Sequence, residues 1–91
     1  MYSYTYSRRM ENELKAHLRA LIDAFCGISP LSPKTIWGRA VGDARFFQRI
    51  EAGHGFSVRT YDKAVQWFSD NWPEDAVWPP EVPRPVSGDE P

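Results

Sequence analysis

An all-α domain of four helices, followed by an extended proline-rich C-terminal segment, is the fold this sequence predicts. Three observations carry it. Apolar residues recur at helical spacing through most of the chain; Gly, Ser-Pro and Gly-Asp pairs interrupt them where helices stop and start; and six of the eight prolines fall in the last nineteen residues. Proline at that density sustains neither a helix nor a central strand. At 91 residues the chain suits one domain, burying about 60–65% of the surface its unfolded form exposes.

The first helix is the most strongly patterned. Met10, Leu14, Leu18, Leu21, Ile22 and Phe25 recur every three or four positions, one face of an α-helix. Ser7 can cap its start, and Gly27 is the expected left-handed residue that ends it. Ahead of it, residues 1–6 (MYSYTY) alternate aromatic and small polar side chains, the pattern of an extended arm. After ISPLSP, Ser32 followed by Pro33 reads as an N-cap with proline at the first helical position. A short second helix follows, roughly 33–41, with Ile36, Trp37, Ala40 and Val41 as its apolar positions.

Gly42 closes that helix and Asp43 caps the next, which is expected over about 44–52. Phe47 and Ile50 are expected to face inward, with Phe46 to one side, and Gly53 and Gly55 end it. A fourth helix over about 58–71, capped by Ser57 or Thr60, has Tyr61, Ala64, Val65, Phe68 and Trp72 inward and Trp67 on its flank. The organisation is therefore an arm (1–6), a helical domain (7–72) and a tail (73–91). Trp78, a lone tryptophan among prolines, either docks back onto the domain or awaits a partner.

Net charge is −1, but it is unevenly spread. Residues 73–91 hold five acids and one base, a net of −4, whereas residues 1–72 hold ten bases and seven acids, a net of +3. One cysteine, Cys26, excludes an internal disulfide and reads as a small buried hydrophobe. His17 and His54 do not complete a zinc-ligand set with it, so no metal or cofactor is expected. There is no apolar run long enough to cross a membrane and no signal-like start, and a cytoplasmic protein is expected. No nucleophile–base pair, carboxylate dyad or phosphate-cradling glycine loop is visible, so an enzyme is not expected.

Two short helices joined by a tight glycine turn form a helix-turn-helix, whose second member enters the DNA major groove. With Phe47 and Ile50 inward, Ala44, Arg45, Gln48 and, partly, Arg49 turn outward. Arginine pairs with guanine and glutamine with adenine, and alanine is small enough to touch a thymine methyl. Lys34 and Thr35 at the start of helix two, Arg39, His54 in its glycine-flanked loop, and Arg59 at the start of helix four are candidate phosphate contacts. Double-stranded DNA is thus the expected partner.

The stretch GRAVGDARFFQRIEAGHGFSVRTYDKAVQWF resembles the central part of the lambda-repressor-like (Xre-type) helix-turn-helix family. A glycine turn after helix two carries the resemblance, with an R-I-E-x-G ending to helix three (Arg49, Ile50, Glu51, Gly53) and a Ser/Thr-started helix four. It covers residues 32–69 and extends to small helix-turn-helix proteins of bacteria and their phages. It implies a sequence-specific DNA-binding regulator, commonly a dimeric repressor, with Lys34 and Thr35 at the backbone and Ala44, Arg45 and Gln48 at the bases. Gly38 departs from the alanine usual in the family.

Trp67, Trp72 and Trp78, with the N-terminal tyrosines, form a large aromatic complement, and aromatics are enriched at interfaces. A homodimer contact through helix four or the arm is the corresponding expectation. The alternative function is a protein-interaction adaptor on the same scaffold, engaging a partner through its aromatic surface and acidic tail.

Overall fold

The computed structural model describes residues 8–85. Four helices make up its regular structure: α1 (Arg8–Ile28), α2 (Pro33–Val41), α3 (Phe46–Glu51) and α4 (Val58–Asn71), with no strand among the described residues. The expected arm and the Ser7 cap lie outside the described residues, as does the end of the tail with Asp89 and Glu90.

α1 and α4 pack together, α4 also packs on α2, and α2 carries α3. The core follows the apolar periods: Leu18, Leu21, Ile22 and Phe25 from α1, Ile36, Trp37 and Ala40 from α2, and Tyr61, Ala64, Val65 and Phe68 from α4. Met10, expected on this inner face, is 45% exposed, because the core closes over α1 only from Leu14 onward. His17 sits at the boundary, its Nδ1 2.9 Å from the Tyr61 hydroxyl.

The helix boundaries have local causes. Ser32 Oγ accepts the Thr35 N–H and Ser57 Oγ accepts the Thr60 N–H, each the N-cap of its helix. Gly42 takes φ +78° and its N–H donates to Gly38 C=O, an αL termination that ends α2. Gly27 is corrected: it lies inside α1 and has no positive φ, so the helix continues to Ile28.

Beyond α4 the chain does not leave the surface. Val82 is buried, and Trp78 sits 5.0 Å from Trp72 and donates its Nε1–H to Val82 C=O at 2.7 Å. Arg84 lies over the Trp78 ring at 4.7 Å and donates to Ser69 Oγ and Ser69 C=O. Of the two alternatives for Trp78, docking is the one realised, and the apolar core reaches Val82.

Candidate nucleic-acid interface

α3 is one and a half turns long, too short to be stable by its own hydrogen bonds. It is held by aromatic contacts. Trp37 of α2 has Phe46 at 5.3 Å and Phe47 stacked nearly parallel at 5.5 Å, and Phe56 closes on Phe46 from the following loop. The expected order of the two phenylalanines is reversed: Phe46 is buried with Ile50, and Phe47 is half-buried at the flank. Both rings flank Ile50 around the helix, about 40° and 60° from it at 100° per residue, and the rotation of α3 about its axis turns Phe46 inward. Residues 44–45 form a turn in which Phe46 N–H donates to Asp43 C=O, and Phe46 and Ile50, four residues apart, share the inner face.

Ala44 and Arg45 therefore precede α3 rather than lying within it, and Arg45 occupies the N-cap position with φ −101° and ψ 12°. Asp43 secures this turn, its Oδ1 accepting the Arg45 N–H at 3.0 Å. Its Oδ2 lies 3.5 Å from an Arg49 nitrogen. At the other end, His54 N–H donates to Arg49 C=O and Gly53 N–H to Ile50 C=O, with Gly53 at φ +105°. This is a Schellman termination.

The outer side of α3 carries Arg45, Gln48 and Arg49, all exposed, with exposed Ala44 beside them. Its two acids are already engaged: Asp43 with Arg49, and Glu51 with Arg19 of α1, which also lies 5.3 Å over the Phe47 ring. Among the described residues the Arg45 guanidinium faces no acidic partner. Arg19 belongs to this site although no motif in the sequence marks it. Its position three residues before Ile22, beside the apolar stripe of α1, was the available signal that it borders a neighbouring element.

Lys34, Ala44 and Gln48 come together along a groove of about 480 Å³ between α1, α2 and α3. The start of α2 offers fewer donors than expected. Pro33 has no N–H, the Thr35 N–H is engaged by Ser32, and Ile36 N–H donates to Ser32 C=O. What remains for an anion is the Lys34 N–H and ammonium and the Thr35 O–H, because the Thr35 hydroxyl oxygen accepts from Ser32 Oγ–H and keeps its own donor. Arg39 and Arg59 are exposed on α2 and α4 and neither lines that groove. His54 lines a separate depression with Glu11 and Lys15 of α1.

Cys26 is half-buried rather than buried and lines the groove. Burial, and secondarily the negative charge of Asp23, raise its thiol above the usual range. Of the tryptophans assigned to a dimer contact, Trp72 is corrected: it is 6% exposed among Phe25, Phe68 and Trp78 and has no face left for a partner. Trp67 and Trp78 are half-buried. No helix of the described residues is long and apolar enough to cross a membrane. The chain matches no family model, and neither curated proteins nor solved structures give a match.

Proposed function

We propose that the chain is a sequence-specific DNA-binding regulator of the helix-turn-helix type. α2 and α3 form the motif, and residues 44–52 are its major-groove reader. The observation that carries this reading is the two-sided character of α3. Phe46, Phe47 and Ile50 are gripped by the domain, while Arg45 and Gln48 stand exposed with no acid facing the Arg45 guanidinium among the described residues. Residues 34–59 hold five bases against two acids, a local charge of +3 that suits a polyanion. Arg49 is held by an exposed ion pair, worth at most about 1 kcal/mol, which a phosphate can replace. Lys34, Arg39 and Arg59, all exposed, are the proposed phosphate contacts. Two copies on a palindromic site would set their readers about 34 Å apart.

Selection of bound sequences from a random DNA pool, followed by fluorescence anisotropy at several salt concentrations, tests this. Arg45→Ala should weaken binding to the selected site by about 1–3 kcal/mol and relax preference at one position. Lys34→Ala should weaken all sequences alike and reduce the salt slope by about one. Equal, weak binding to every sequence would falsify the reading.

A second reading, an adaptor that engages a protein partner, is favoured by one observation. Val77 is 84% exposed on the proline segment next to docked Trp78. Val77→Asp separates the two readings, since an adaptor loses its partner while a DNA binder is unchanged, whereas removal from Pro73 onward also uncovers Trp72.

A further inference from the structure

The groove between α1, α2 and α3 has the makings of a small-molecule site. Its volume, about 480 Å³, lies in the range of ligand clefts. Three different elements converge on it, and its lining is largely apolar: Ile22 and Cys26 from α1, buried Trp37 from α2, and the half-buried ring of Phe47 from α3. One of its two cation–anion combinations is internal, Arg19 with Glu51. The other charges on its lining are Lys34 and Asp23, both exposed and neither in an ion pair among the described residues.

A largely apolar lining with an uncompensated cation and an uncompensated anion on the wall complements one ligand chemistry in particular. That ligand is an aromatic ring bearing a carboxylate and an ammonium. We propose that the groove binds a small aromatic zwitterion of the aromatic amino-acid class, its ring against the exposed part of Phe47, its carboxylate at Lys34 and its ammonium at Asp23. The ring gains burial and edge or offset contacts with the aromatic wall, and each charge gains a charge-assisted hydrogen bond. The protonated Cys26 thiol adds a neutral wall and leaves the two rim charges to set orientation.

The site stands independently of DNA binding. One consequence alone rests on the proposed function: an occupied groove covers Ala44 and Gln48, which line it, and so competes with base reading.

Full-length protein labelled with ¹⁵N is titrated by NMR with four probes: L-tryptophan, indole-3-acetate, tryptamine and indole. L-Tryptophan should bind most tightly, with amide shifts at Cys26, Lys34, Phe47 and Gln48. Asp23→Asn should weaken L-tryptophan and tryptamine about tenfold without weakening indole-3-acetate; Lys34→Met should weaken L-tryptophan and indole-3-acetate about tenfold and spare tryptamine. Both positions are exposed, so the fold is retained, and circular dichroism checks it. Two results overturn the proposal: no shifts at these amides with millimolar probe, or equal affinity for all four probes unaffected by either substitution. Because no DNA is present, neither result touches the regulator reading.

Discussion

Replacing Gly38 and Gly42 by alanine, one at a time, examines the backbone that sets α3 in place. Gly38 lies inside α2, and a Cβ added there meets nothing within 4 Å. Alanine then gains helix propensity with no steric cost, a stabilisation of about 0.5–1 kcal/mol. Gly42 has equally open surroundings but sits at φ +78°. Here the penalty is the left-handed backbone alone, about 1–2 kcal/mol. The two variants differ by the same methyl group four residues apart, yet should separate by about 2 kcal/mol. For a domain of this size each kcal/mol moves Tm by roughly 4–8 °C. Thermal unfolding followed by far-ultraviolet circular dichroism should therefore place Gly38→Ala a few degrees above the parent and Gly42→Ala a comparable or larger interval below it. A neutral or stabilising Gly42→Ala would mean the α2–α3 turn is not left-handed there, and the placement of Arg45 and Gln48 would go with it.

The two phenylalanines of α3 should respond unequally. Phe46→Ala removes a buried ring and should cost about 3–5 kcal/mol, whereas half-buried Phe47→Ala should cost clearly less by urea titration. Equal costs would contradict their burial. Arg84→Ala loses the cation over Trp78 and two hydrogen bonds to Ser69, and should lower stability by about 1–2 kcal/mol while increasing quenching of tryptophan fluorescence by acrylamide. Unchanged quenching would show that residues 78–84 are not held as described. Burial, helped by Asp23 at Cys26 and by Asp62 at Tyr61, raises both the thiol and the phenol. The folded chain thus keeps protons that the unfolded chain releases, and stability present at neutral pH should be lost as pH rises through about 9 to 11. Urea midpoints at pH 8 and pH 10.5 measure this, and a higher midpoint at pH 10.5 would contradict it.

The helices of this protein were legible because each is written twice, once in its apolar period and once in its ends. The Ser32-Pro33 and Ser57 caps and the Gly42 stop are short-range devices, and they lie where the sequence suggests. Gly27 shows the limit of that logic. A glycine near a helix end is compatible with both a left-handed stop and one more helical turn, and composition alone does not choose between them. The reversal of Phe46 and Phe47 has a similar origin. Phe46 and Phe47 flank Ile50 around the helix, about 40° and 60° from it at 100° per residue. A modest rotation of α3 about its axis decides which ring faces the core, and apolar spacing alone fits either. The outward side is the same for either rotation, because Arg45, Gln48 and Arg49 are all polar. At Thr35 the sequence does not show that the backbone N–H is taken by the Ser32 cap while the hydroxyl keeps its donor, a division decided by rotamers. The packing of Trp78 and Val82 was invisible for another reason: proline-rich composition tells what backbone is excluded, and says nothing about which apolar side chains find a surface to rest on.

Asp43 is a single carboxylate with two tasks, one oxygen fastening the peptide that precedes α3 and the other detaining Arg49. Any phosphate or other anion that draws Arg49 away leaves the first fastening intact. The arginine can therefore be recruited outward without loosening the bend from which it departs, and the grip of the turn and the availability of its charge are set by different atoms of the same side chain.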